Sequence, residues 1–169
     1  MTRALTLLAA LALLSGCGLQ PMYAGGSSGT VARGLAQVEV PAIPGNQGWL
    51  VRNALNDRLG YGQASGQTAG SAQYRLDVVL DDRLEGLGLL TDETIGRERR
   101  TLRARYQLVE IATDTILIDA TAGSDAGIDV VDSEYATIAA EQTALENLAK
   151  EVADQIVARL ARVLRDRDQ

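Results

Sequence analysis

Residues 95–111 read IGRERRTLRARYQLVEI. Leu102, Ala104, Tyr106 and Leu108 fall at every second position, and Arg97, Arg99, Thr101, Arg103 and Arg105 stand between or before them. Side chains alternate across a strand, so the apolar set lines one face and the arginines line the other. A strand of this kind packs one face on a core and keeps the other wet, as antiparallel sheets do. Arg100 has the wrong parity for the arginine face unless a bulge intervenes.

The neighbouring segments repeat the pattern. Ala72–Leu84 puts Tyr74, Leu76, Val78 and Leu80 inward and Arg75, Asp77, Asp81 and Arg83 outward. Between the two strands, Leu84–Thr94 (LEGLGLLTDET) mixes turn residues with four leucines. Downstream, Thr113-Asp114 makes a tight turn, and Thr115–Ala122 (TILIDATA) offers Ile116 and Ile118 to the core. Three strands joined in this way form a meander. Upstream, Leu35–Val40 (LAQVEV) alternates, with Ala36, Val38 and Val40 on one face, and Pro41 and Pro44 end it. Asn46–Leu59 then carries Val51, Leu55 and Leu59 at four-residue spacing beside Ala54, between a capping Asn46 and a stop at Gly60. A loop rich in Gly, Ser and Gln follows over 60–70.

The last element is a long helix from Ser133 to Arg165. Ile138, Leu145, Leu148, Val152, Ile156, Leu160 and Val163 make its apolar stripe. Asp132, Ser133 and Glu134 suit its positive N-terminus, and Arg159, Arg162 and Arg165 suit its C-terminus. At 1.5 Å per residue it spans about 50 Å, against a radius of gyration of about 15 Å for a domain of this size. One end should therefore overhang the sheet or meet a partner. The expected fold is α+β: a four-stranded, largely antiparallel sheet with a short helix and a long C-terminal helix packed on one face, in a single domain over 35–169.

The N-terminus reads differently. A basic head, Met1-Thr2-Arg3, precedes the apolar run ALTLLAALALL of Ala4–Leu14. That run is about half of the roughly 20 residues a transmembrane helix needs, and the pattern is that of a secretory signal peptide over 1–16. Leu14-Ser15-Gly16-Cys17 fits the bacterial lipobox, and Cys17 is the single cysteine of the chain. There the sulfur takes a diacylglycerol, and cleavage before Cys17 frees an amine for a third acyl chain. Two or three chains hold a protein on a membrane. The bland alternative is a thiol that merely follows a signal peptide. Gly18, rather than an aspartate, points the lipoprotein to the outer membrane, on the periplasmic side. Residues 17–34, with the stretch AGGSSGT, read as an acylated flexible tether.

Composition limits the chemistry. The net charge of −6 and the absence of a basic tail argue against a nucleic-acid partner. The chain has no histidine, so with Cys17 acylated neither imidazole nor thiol remains for catalysis or metal binding. G-x-S-x-G, P-loop and HExxH motifs are absent. No cofactor is expected.

The segment Cys17-Gly18-Leu19-Gln20-Pro21-Met22-Tyr23 after the lipobox resembles the start of the lipopolysaccharide-assembly lipoproteins of the LptE family, with Met22 in place of a leucine. The order strand, helix, three strands and long helix matches too, as does Ser133-Glu134-Tyr135-Ala136 at the start of that helix. The resemblance implies a plug-like partner of the outer-membrane barrel LptD that helps the barrel assemble and binds lipopolysaccharide for insertion into the outer leaflet, without modifying it. Two other readings stay open. One is an accessory lipoprotein of a different lipid transporter. The other is a hydrolase built on carboxylates, which needs two acidic side chains converging in a concave pocket.

Two ligand or partner surfaces follow. Arg97, Arg99, Arg103 and Arg105 on one strand face suit the phosphates of lipid A, which arginine grips in bidentate fashion. The competing reading is a solvated face, neutralised by Asp77 and Asp81 of the preceding strand. Leu87, Leu89 and Leu90 at the hairpin tip could dock into the partner barrel, or continue the strands and pack on the helices. Trp49, the single tryptophan, reads as a core or edge residue.

Overall fold

The structure is a computed structural model that describes residues 29–60, 72–89 and 95–167. The expected signal peptide, Cys17 and Leu90 lie outside the described residues. In chain order the elements are α1 (Thr30–Leu35), β1 (Val38–Glu39), α2 (Asn46–Leu59), β2 (Tyr74–Leu89), β3 (Ile95–Glu110), β4 (Thr115–Asp129) and α3 (Glu134–Arg167). The sheet runs β1-β2-β3-β4, with β1 parallel to β2 and the other two pairings antiparallel. The α+β meander capped by a long C-terminal helix is therefore present.

Register assigns every side chain to a face. Leu76, Leu108 and Ile118 stand opposite one another, then Val78, Tyr106 and Ala120, then Leu80, Ala104 and Ala122. This set packs against Leu145, Leu148, Val152, Ile156 and Leu160 of α3. Val51, Leu55 and Leu59 of α2 join the same core. At full burial, each large aliphatic side chain contributes about 1.5–3 kcal/mol. Gly60 ends α2 in the left-handed region, at φ 67°. Asp114 makes the β3–β4 turn at φ 51°.

Four expectations change. The expected tether does not extend to residue 34, because Thr30–Leu35 is helical and buries Val31 and Leu35. Among the described residues three helices rather than two thus cover the sheet. β1 is two residues long, although Ala36, Val38 and Val40 are all buried as expected. Ile116 is 53% exposed rather than in the core. The ladder shifts register between Leu108 and Val109, and the extra residue turns Ile116 outward. Trp49 is 61% exposed.

The three long strands hold 16, 16 and 15 residues, about 50 Å at 3.3 Å per residue. The 34-residue α3 is about 51 Å long. Helix and ribbon match, so the overhang inferred from the radius of gyration shrinks to the first turns of α3. There only Thr137 is buried, and Tyr135 is 85% exposed.

Candidate functional site: the open face of the sheet

All three helices lie on the core side, so the other face of β2–β4 is open, and Val79 on it is 72% exposed. Strand parity puts six arginines there: Arg75, Arg83, Arg97, Arg99, Arg103 and Arg105. The same parity puts six carboxylates among them: Asp77, Asp81, Glu85, Asp119, Asp125 and Asp129. The face is therefore dense in charge and neutral overall.

The pairing follows register. Arg97 lies opposite Asp129, and its Nε sits 3.0 Å from Oδ1. Arg99 and Arg105 lie opposite Gly127 and Thr121, and each reaches the carboxylate two residues earlier on β4. Arg99 Nε is 3.7 Å from Asp125, and Arg105 Nη2 is 3.0 Å from Asp119. Arg105 and then Gln107, both donating to Asp119, hold its carboxyl below the usual carboxylate range. The aspartates of the preceding strand are taken by their own neighbours: Asp77 by Arg75 at 3.0 Å and Asp81 by Arg83 at 2.9 Å. The partners of the arginine strand thus come from β4, not from Asp77 and Asp81.

Arg103 stands apart. It faces Gly123 on β4, and the diagonal position is Thr121, which has no charge to offer. Asp81, opposite it on β2, is engaged by Arg83. Among the described residues Arg103 is the one arginine of this face without a carboxylate within 4.0 Å. Its stem crosses Gly123, where a Cβ would come 3.2 Å from Arg103 Cγ. Beside it, Asp81, Arg83, Glu85 and Thr101 complete a shallow depression of about 300 Å³.

Arg100 belongs to the other face. It points toward α3, donates from Nε and Nη2 to Asp82 at 3.0 and 2.7 Å, and from Nη1 to the Glu141 carbonyl at 3.1 Å. No bulge is needed: its parity is that of the core, and an ion pair lets it stay there. Leu87 lies on the open face opposite Arg97, and Leu84 on the helix side opposite Arg100; both are exposed. The backbone of Leu89 pairs with Ile95. The strand pair thus continues through the leucine-rich segment to Leu89. Reading odd positions in Thr115–Asp129 for charge would have found Asp119, Asp125 and Asp129.

No group of three or more metal-ligating side chains occurs among the described residues, and no described helix is long and apolar enough to cross a membrane.

Comparisons with known proteins agree with this architecture. The fold is similar to that of a Caulobacter crescentus chain described as a lipoprotein, with TM-score 0.68 and 26% identity, covering 82% of this chain and 98% of that one. It is also similar to lipoprotein B from Nitrosomonas europaea, with TM-score 0.53, 16% identity and coverage of 73% and 79%. Rare lipoprotein B from Shewanella oneidensis gives TM-score 0.54, 11% identity and coverage of 78% and 97%. No curated protein matches the chain in sequence. The family model for LptE, lipopolysaccharide-assembly, matches residues 35–160, which run from the end of α1 through most of α3. By that match the chain belongs to the LptE lipopolysaccharide-assembly family.

Proposed function

We propose that this protein is an outer-membrane lipoprotein, acylated at Cys17 and facing the periplasm, that serves as plug and assembly partner of an LptD-like barrel. It binds lipopolysaccharide for insertion into the outer leaflet and does not alter it chemically. The family match over 35–160 carries this reading. Two features of the fold support it. The wet face of the sheet is uncovered and rich in guanidinium groups, the side chain best suited to phosphate. α1 packs against Leu164 near the C-terminal end of α3, at the end of the sheet opposite the Leu89–Ile95 pair. Leu87 and Leu89 belong to the end of β2 away from α1, and with Leu90 they are the proposed contacts for the barrel.

On the open face Arg103 is the first contact for a phosphate, because Arg97, Arg99 and Arg105 must each release an aspartate before they can bind one. Depletion of the protein tests the proposal. The expected result is less correctly folded LptD-like barrel and less lipopolysaccharide at the cell surface. Unchanged levels of both would overturn it.

A further inference from the structure

We infer that the free edge of β4 accepts an extended, basic polypeptide segment, which adds to the sheet as a fifth strand beside α3. The inference goes beyond the proposed function and concerns the edge of the sheet, where Asp125 and Asp129 border the open face.

β4 ends the sheet, so its second row of backbone groups has no strand partner among the described residues. The direction of that row is fixed by α3. Gln155 Nε2 donates to the Gly123 carbonyl, and the Gly123 N–H donates to Gln155 Oε1, both at 3.2 Å. One side-chain amide thus imitates a neighbouring strand at Gly123. Backbone groups alternate in direction along an antiparallel strand, so those of Asp125 and Gly127 also point outward. Val130, of the opposite parity, donates inward to the Gly96 carbonyl at 3.1 Å. Beyond Gly123 the edge therefore presents donors and acceptors that no described residue covers. Unprotected edges of this kind recruit strands.

A groove of about 660 Å³ runs along the same stretch. Its α3 wall begins with small side chains, Ala139, Ala140, Thr143 and Ala144, where a backbone can come close, and continues with Asn147, Leu148 and Glu151. Charge then selects the occupant. The groove is lined by three carboxylates, Asp125, Asp129 and Glu151, and by no lysine or arginine. Asp129 and Asp125 pair with Arg97 and Arg99 yet stay 76% and 62% exposed, so both carboxylates remain accessible. A second copy of this edge would set like charges side by side, which destabilises cross-strand pairs. A strand with lysine or arginine on its open-face side and small apolar residues toward α3 fits both walls.

The probe is a short capped peptide in which lysine alternates with valine, titrated into the full chain and read by fluorescence anisotropy. A peptide with the same residues sorted into a lysine block and a valine block is its control. The alternating peptide should bind about tenfold more tightly than the block peptide, a difference of about 1.4 kcal/mol. Gly127→Pro deletes one outward N–H at an extended position where an added Cβ meets nothing within 4 Å; edge strands accept proline. It should weaken binding about tenfold with the melting temperature held. Asp129→Lys gives the same loss without touching the backbone and serves if the proline variant fails to fold. Gln155→Ala uncovers Gly123 and should tighten binding. Equal affinity for both peptides, or Gly127→Pro binding like the parent, would overturn the inference. A dimer in sedimentation that Gly127→Pro dissolves would also overturn it, by making a second copy the occupant.

Discussion

Arg100→Leu should lower folding stability by about 2–3 kcal/mol, although Arg100 sits on a strand that otherwise displays its arginines to water. The magnitude follows from burial. Arg100 and Asp82 are 16% and 14% exposed, and they share two hydrogen bonds, with a third from Arg100 to the Glu141 carbonyl. Removing one partner of a buried pair costs about 3–5 kcal/mol, because a charge is left without compensation. The residual exposure of Asp82 lets some water return, and leucine adds apolar contact, so the lower value applies. By contrast Arg97 and Asp129 are 70% and 76% exposed, and breaking such a pair costs about 0–1 kcal/mol. The assay is urea unfolding of Arg100→Leu, Asp82→Leu and the double variant, analysed as a cycle. Both singles should lose stability, and the double should recover most of it, since a matched apolar pair of similar volume replaces a buried ion pair at little cost. Losses below about 0.5 kcal/mol in the singles, within the usual range of surface changes, would refute this reasoning. Simple additivity in the double would refute it equally.

Three further outcomes are expected. Helix propensity alone says Gly48→Ala stabilises α2 by about 1 kcal/mol, but the new Cβ would stand 2.3 Å from the Ile43 carbonyl oxygen; the clash should win, with a net loss of about 1–3 kcal/mol by thermal unfolding. The hydrogen bond and charge of Arg58 hold the Asp154 carboxyl below its ordinary value, so the unfolded chain takes up the proton first on acidification. The stability that Asp154 contributes is therefore complete above about pH 4 and fades as pH falls through its folded value; Asp154→Asn should be less stable than the parent at neutral pH, and the gap should close in acid. Arg103→Ala should weaken lipopolysaccharide binding about tenfold, or 1.4 kcal/mol, more than Arg97→Ala does, with the melting temperature unmoved and the effect reduced by salt; equal binding by Arg103→Ala would leave the depression at Asp81, Arg83 and Glu85 without a ligand role.

Periodicity made the middle of the fold legible. Leu102, Ala104, Tyr106 and Leu108 are buried because alternation admits only one face, and Leu145 through Leu160 line the core because their spacing is helical. What stayed hidden depends on register and length. Ile116 obeys the alternation of Thr115–Ala122, yet a single extra residue opposite Leu108 and Val109 puts it in water. Gly86 and Gly88 read as turn residues, yet they lie in a 16-residue strand, and so the ribbon grew to match α3. Val31 sits in a glycine- and serine-rich stretch too short to show a helical period, and Leu35 reads as the start of the next strand. On the open face the arginines were plain from parity alone. Which of them is free was not, because that turns on Thr121 lying where the other diagonals place aspartates.

Affinity purification of the full chain from detergent-solubilised outer membranes decides whether the protein partners an LptD-like barrel. A large LptD-like β-barrel should co-purify, with lipopolysaccharide bound to the complex. Recovery of an inner-membrane lipid transporter in its place, or of the protein with neither barrel nor lipopolysaccharide, would contradict that partnership.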